Sequence, residues 1–500
     1  MSASAKATSK ATTNAIVSND VPASWSDLLS GRNALRSIML AGGIGMHATN
    51  VYIVTTILPS VVKDIGGLEY YAWATSLFVV ASIIAAGVAS RVVDWLGYRS
   101  ACLLALLVFS LGSAGCALAP HMLWLLLART VQGVGGGVLV ALSYAMIRVV
   151  FAAPLWSRAM ALMSGMWGIS TLSGPAIGGI FAQMGSWRGA FWALLPAAIM
   201  LALLIRFTVK VAPKSSTENK SDSIPILKIV LLAAAVMSVS AASLFGSIIM
   251  NVGGIACGVA LIALIAWLEQ RGGTRLLPSG AFSLRTRIGA LYATMILMIL
   301  ALTTEIYVPY FLQVIQGQSP LLAGYLTGIM SCGWTLAALL FSGYSGKRAR
   351  FVMMAGPLIV IAALLALSLQ LPSAALVDSY GLLPLCVALL LVGFGIGMGM
   401  PHLMAKVLSS APDDEDNLAA YSLTTVQLFA TAIGAALAGM VTALAGIADP
   451  GGVAGAANAA HWLFICFAAG LLLAFFTVRQ ALRLNALAAI KRSQAEASLS

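Results

Sequence analysis

The sequence predicts an all-α membrane protein with fourteen transmembrane helices, and three observations predict it. Of the 500 residues, 60% are hydrophobic and only 9% charged, with a mean hydropathy of +0.96, a composition far from that of water-soluble domains. Fourteen apolar runs are long enough to cross a hydrocarbon core of about 30 Å, which takes about 20 helical residues. Lysine and arginine alternate between successive connections, as they do when helices cross a bilayer in turn.

Pro, Gly and charged residues bound the runs at 37–59, 71–90, 101–119, 122–147, 159–182, 189–209, 226–246, 249–268, 288–308, 320–343, 351–371, 382–405, 418–446 and 461–478. They are too long and too rich in Gly and Ala for the alternating barrel strands of about 10 residues, so each reads as a helix. Residues 1–36 are rich in Ser, Ala and Thr and lack the apolar stretch of a signal peptide, so a disordered cytoplasmic tail is expected. A six-helix bundle then occupies 37–209, a cytoplasmic linker 210–225, and an inserted helix pair 226–270. This seventh and eighth helix carry few polar residues and are expected at the periphery, facing lipid. A cytoplasmic connection at 271–287, a second six-helix bundle at 288–480 and a cytoplasmic tail at 481–500 complete the chain. Six plus six helices is the arrangement in which two bundles rock about a midplane cavity. A faint repeat supports it: RVVDWLGYR after the second run has a degenerate counterpart, GYSGKRAR, after the tenth.

Of the 28 Lys and Arg, all but Lys63, Arg188 and Arg129 fall in the two tails and the even-numbered connections. A missed or invented span would invert this alternation downstream, and it never inverts. Both chain ends are therefore placed on the cytoplasmic side of the inner (plasma) membrane. The net charge of +12 belongs to loops, not to a basic soluble surface, so nucleic acid is not an expected partner. The six cysteines fall inside apolar runs at unrelated spacings, which gives neither a metal nor a disulfide pattern. No G-x-x-x-x-G-K-S/T loop is present, which argues against nucleotide-driven pumping. Neither an enzyme activity nor a cofactor is expected.

Three motifs carry mechanism. The second run ends in Ser90-Arg91-Val92-Val93-Asp94-Trp95-Leu96-Gly97-Tyr98-Arg99, where Gly97 permits a tight reversal and close helix approach. Asp94 there can accept hydrogen bonds from a neighbouring helix or pair with an arginine when that side of the molecule is shut. The fourth run holds Arg129-Thr130-Val131-Gln132-Gly133, and an arginine so deep in an apolar run marks a functional path unless it snorkels to the interface. The fifth run holds Ser170-Thr171-Leu172-Ser173-Gly174-Pro175-Ala176-Ile177-Gly178-Gly179, followed by Trp187-Arg188-Gly189-Ala190-Phe191. Gly174 and Gly178 share a helix face and allow close backbone approach, while Pro175 bends the helix.

The Asp94, Gly97 and Arg99 turn resembles the loop motif of the major facilitator superfamily, with Ser90 at its first glycine. Arg129 and Gln132 resemble the superfamily's fourth-helix motif, whose arginine is tied to proton coupling. Gly174, Pro175, Gly178 and Gly179 resemble its antiporter motif, found in exporters, with Ser170 at the first glycine. With fourteen spans, Ile57-Leu58-Pro59 and Tyr307-Val308-Pro309-Tyr310-Phe311-Leu312-Gln313, the chain resembles the fourteen-helix drug/proton antiporter family over roughly residues 37–480. That family commonly has an aspartate in the first helix where this chain has Asn50, which cannot carry a proton.

Among the 16 Asp and Glu, Glu305 alone stands inside an apolar run. A carboxyl in such surroundings can exchange protons. The alternative is a structural carboxyl, hydrogen-bonded or held by Arg129. His47 and His402 are the other titratable side chains within runs. Asn50, Gln132, Tyr52, Trp167, Trp334 and Gln427, with Trp73, Tyr144 and Tyr325, are candidates to line an aromatic, mostly neutral cavity.

The resulting expectation is a monomeric secondary transporter, a proton-coupled antiporter exporting drugs or other lipophilic or cationic small molecules by alternating access. Two rivals stay open. One is a facilitative or proton-coupled exporter of a single metabolite or siderophore, and the other a membrane receptor of transporter fold that moves nothing.

Overall fold

In hydrocarbon no water is available to the backbone, so each crossing must bond its own N–H and C=O groups, and a helix does this within one segment. A computed structural model describes residues 25–152, 155–208, 225–272, 274–373, 381–410 and 415–499. Residues 1–24 of the expected tail and 210–224 of the expected linker lie outside the described residues. Among those described, helices account for the fold and no strand occurs.

A short helix, Trp25–Leu29, precedes α1 (Gly31–Ile65), so helix begins inside the stretch expected to be a tail. Trp73–Ala117 is one helical run broken at Gly97, whose arms are α2 (73–96) and α3 (98–117). There follow α4 (Met122–Val150), α5 (Trp156–Gln183) and α6 (Trp187–Thr208). The inserted pair is α7 (Ile226–Ala242) and α8 (Ile248–Gln270). The second set is α9 (Arg287–Val314), α10 (Pro320–Phe341), α11 (Gly346–Gln370), α12 (Leu383–Leu408), α13 (Asp416–Leu444) and α14 (Gly452–Leu499).

Among the described residues twelve segments are long and apolar enough to cross a membrane, and one of them contains both α2 and α3. That makes thirteen crossings by composition. The remaining helix, α5, has the length at 28 residues, but its Ser, Thr and Gly make it more polar than the others. Several helices outrun their apolar segments, α14 by more than two turns beyond 478, because the bilayer limits only the apolar part of a helix.

Gly97 adopts φ +75° and ψ 160°, a conformation open essentially to glycine alone. A Cβ there would meet nothing within 4 Å. The residue is therefore required by the backbone reversal, not by the close helix approach expected of it. At the opposite end, Asp64 of α1 accepts from Arg188 at 2.5 Å and from Trp187 Nε1 at 3.0 Å, and Arg188 also donates to Ala119 O at 2.9 Å. The Trp187-Arg188 turn thus pins α6 to the C-terminal ends of α1 and α3.

The inserted pair is only half peripheral. Along α8, Ile249, Val252, Val259 and Trp267 are exposed, as lipid-facing residues should be. In contrast, Ile229, Leu232, Val236 and Val239 of α7 are buried in one cluster with Phe78, Val79, Val80 and Ile83 of α2 and with Ala432, Ala436 and Met440 of α13. Helix α7 therefore sits between the two six-helix sets.

Polar bonds close the pair at its other end. Lys228 donates to Glu269 at 2.7 Å and to Thr274 O at 2.7 Å, with both side chains only 9% exposed. Glu415, just ahead of α13, accepts from Ser279 N and Ser279 Oγ at 2.6 Å each and pairs with Arg275. Burial pushes the Glu415 carboxyl up, but the Ser279 and Arg275 contacts outweigh it and hold the group below its ordinary value of 4.5.

Two predictions follow from these contacts. Gly97→Ala should destabilise the protein by about 1–3 kcal/mol, the usual cost of holding a side chain in that backbone region, read as a lower unfolding midpoint in detergent. Glu415→Gln should lose about 1.5–3 kcal/mol at neutral pH, where the charged acceptor is present. Because folding depresses this carboxyl, its stabilising contribution is complete above the unfolded carboxyl's titration range and disappears as pH falls through the lower folded value. The difference in unfolding midpoint between wild type and the Gln variant should therefore shrink on acidification.

Candidate functional site

Helix α9 does not run straight through the membrane. It is α-helical over Arg287–Leu302, tightens into a 3-10 turn over Thr303–Ile306, and resumes as α-helix at Val308–Val314 with Pro309 in its first turn. Thr303 and Thr304 donate back to Leu300 O at 2.7 Å and Ala301 O at 2.9 Å, supplying donors to carbonyls loosened by the break. Glu305 lies in that turn. It is surrounded by protein yet keeps accessible surface, and it makes no hydrogen bond or ion pair among the described residues. Interrupted helices of this kind line cavities and substrate sites in transporters.

In the first bundle, Tyr52 of α1 is within electrostatic reach of Glu305. The Tyr52 hydroxyl lies 3.3 Å from Ser331 Oγ of α10, a contact that joins the two bundles. Next to Tyr52, Thr49 donates to Ser170 Oγ of α5 at 3.0 Å. Tyr52 and Ser331 thus meet between α1 and α10, with Glu305 of α9 within electrostatic reach of Tyr52.

Arg129 is elsewhere and does not hold Glu305. It is 1% exposed; its Nε donates to Ala74 O of α2 at 3.1 Å, its Nη1 to Gln132 Oε1 at 2.5 Å, and its guanidinium lies 4.1 Å from the Phe78 ring centroid. Gln132 passes the chain on, donating to Ser113 Oγ of α3 at 2.8 Å. Arg129 Nε and Nη1 and the Gln132 amide are thereby engaged inside the first bundle, which offsets part of the cost of a cation in hydrocarbon. Gln132 has no accessible surface and serves this network, not the cavity wall expected of it.

His47 packs beside Phe78, ring centroids 5.0 Å apart, and lies 6.1 Å from Trp167 in a T-shaped pair, with Nδ1 unpartnered among the described residues. Asn50, one turn further along α1, is fully buried with both amide atoms unpartnered among the described residues, so it too is not exposed to a cavity. His402 of α12 is bonded to Phe341 O at 2.9 Å, which fixes it to the end of α10. Of the remaining lining candidates, Trp167, Trp334, Tyr144, Trp73 and Gln427 are half-buried, Gln427 donating to Met404 Sδ at 3.9 Å, whereas Tyr325 is 40% exposed.

The α5 motif forms a three-helix junction. A Cβ at Gly174 would fall 2.3 Å from Tyr52 Cβ, and one at Gly178 2.9 Å from Ile53 O, so this face lies against α1. A Cβ at Gly179 would fall 2.5 Å from Leu321 Cα of α10, in the other bundle. Pro175 packs beside Gly324 and Thr56. At the same end Tyr71 stacks on Tyr307 at 4.8 Å and meets Tyr310 edge-on at 5.5 Å. The bundles are shut there. At the far end Asp94 is exposed without hydrogen bond or ion pair among the described residues, Trp95 is 72% exposed, and Arg99 is half-buried. The latch expected of Asp94 is not made in this state.

The sequence missed the α9 break. Its only trace was the Thr303-Thr304 pair ahead of Glu305 and Pro309 after it. Among the described residues no group of three His, Cys, Asp or Glu side chains could hold a metal ion.

A family model of the Major Facilitator Superfamily matches residues 40–435 of this chain. A probable multidrug-efflux transporter of Mycobacterium tuberculosis is 35% identical over 460 residues, covering 91% of this chain and 96% of the relative. A multidrug efflux pump of Staphylococcus aureus is 24% identical over 370 residues, 73% and 79% of the two chains. A crystal structure of a human organic anion transporter superposes with a TM-score of 0.57 at 18% identity, covering 90% of this chain and 100% of the other.

Gly179→Ala should unseat the closed end, since its methyl group collides with the Leu321 backbone of the opposite bundle. The expected cost is about 1–3 kcal/mol to this state, seen as increased reactivity of a cysteine introduced at the buried Thr56 position.

Proposed function

The chain belongs to the Major Facilitator Superfamily, whose members are transporters rather than enzymes, and from that premise we propose that it is a proton-coupled antiporter exporting lipophilic or cationic small molecules. It works as a monomer in the inner membrane, with both chain ends in the cytoplasm, and the two bundles rock to expose the cavity to each side in turn. The single observation that carries this reading is Glu305, a carboxyl at a helix break that is unpaired among the described residues and within electrostatic reach of Tyr52. The names of the efflux relatives, one matching nearly the whole chain, support export of drugs and similar compounds.

The chemistry is an exchange of occupants. With Glu305 protonated and neutral, the cavity holds no net charge there. Loss of the proton creates an uncompensated carboxylate in a wall of aromatic and hydroxyl groups, which favours a cationic or amphipathic cargo. Return of a proton removes that attraction and releases the cargo. Arg129 keeps its charge bound within the first bundle, where it organises α2, α3 and α4 around the moving cavity. His47, beside it, is the second candidate to carry the proton, whereas His402 is bonded into the α10–α12 contact.

Everted vesicles energised by a proton gradient provide the test. A lipophilic cation added to them should release protons in wild type, and Glu305→Gln should abolish this release with the protein still present in the membrane. Proton release surviving in Glu305→Gln would move coupling to His47 or Arg129. Flux without proton movement would make the protein a facilitator, and binding without flux a receptor.

A further inference from the structure

We propose that the inserted helix pair is a moving part of the second bundle, fastened to it by polar bonds and sliding on α2 of the first through an apolar contact. The proposal rests on the two-bundle motion described above and goes beyond it, because it states which side of the moving interface carries α7 and α8.

The bonds of the pair are one-sided. Its two helices are tied together by the buried Lys228–Glu269 bridge. Glu269 also accepts from Leu276 N at 2.8 Å, and Lys228 reaches Thr274 O, so the chain leaving α8 is bound to the same unit. That segment is fastened in turn by Arg275 and Ser279 to Glu415, the residue before α13. Toward the first bundle, no hydrogen bond or ion pair joins α7 or α8 to any helix from α1 to α6 among the described residues.

What faces α2 is smooth and apolar. Phe78, Val79, Val80 and Ile83 meet Ile229, Leu232, Val236 and Val239, and a Cβ at Gly87 would fall 2.5 Å from Ile229 Cδ1. Contacts of this kind cost little to shift along, since dispersion is non-directional, whereas pulling the segment after α8 away from α13 would strip the Glu415 carboxylate, 10% exposed, of its Ser279 and Arg275 partners. When the bundles rock, motion is therefore concentrated at α2–α7. Helix α7 is also long enough to keep the side between α2 and α13 covered as it moves, so the pair closes that flank of the cavity to lipid.

Spin labels test the assignment in the full-length protein in liposomes. One pair joins α7 to α2, at Leu231 and Ile84, and the other joins α7 to α13, at Leu231 and Phe429. Distances are measured at acidic and alkaline pH and with tetraphenylphosphonium. The α7–α2 distance should change between conditions while the α7–α13 distance stays fixed. A fixed α7–α2 distance with a changing α7–α13 distance would assign the pair to the first bundle, and change in both would make it an independent element; either overturns the proposal. If a label pair spanning Thr55 and Gln313 also stays fixed, the rocking itself fails, which separates that failure from this one. As a second measurement, a disulfide between Gly87→Cys and Ile229→Cys should stop transport until reduced, and one between Ser279→Cys and Glu415→Cys should leave it intact. Transport through the oxidised 87–229 protein overturns the proposal.

Discussion

Inside a bilayer every polar group needs a partner from the protein itself, and the rest of this structure depends on that constraint. It makes each apolar run a helix. It also explains the bonds of Arg129, whose charge is spread over the Ala74 carbonyl, the Gln132 amide and the Phe78 ring, with Ser113 completing the chain. Thr303 and Thr304 answer the same demand where α9 is interrupted. Against this background Glu305 is conspicuous, because the helix is opened at its position and no side chain among the described residues meets its carboxyl.

The same constraint explains why glycine does so much of the joining. Helices in lipid gain little from burying apolar surface, so close backbone approach must supply the contact energy. In α5 the motif divides this work between adjacent residues: Gly178 lies against α1 of its own bundle and Gly179 against α10 of the other. One helix therefore meets its own bundle on one face and the other bundle on the next. The shut end is a surface of glycine, proline and stacked tyrosine that can part without stranding a charge.

Much of this was legible in the sequence because it depends on local pattern. Run length and the alternation of basic residues give the helices and the position of the inserted pair. Gly97 was identifiable as a turn residue, although the structure gives its reason as backbone conformation and not close approach. The long-range bonds were not legible. Lys228 read as one more basic residue of a connection and Glu269 as a helix end, yet they lie 41 residues apart and pair in a buried site. Gln132 and Asn50 are polar residues in apolar runs, and sequence has no means of telling a cavity wall from a buried network. That choice depends on which helices surround the residue, as Arg129 and Ser113 surround Gln132.

Asn50 shows how the constraint distributes charge across the molecule. An aspartate at this level of α1 would place a carboxyl in the bundle that already holds the Arg129 charge, and the pair would tend to neutralise itself. With asparagine there, among the described residues the first bundle keeps a bound cation and has no acid beside it, while the second presents the carboxyl. The buried cation and the membrane carboxyl therefore belong to different bundles, Arg129 to α4 and Glu305 to α9.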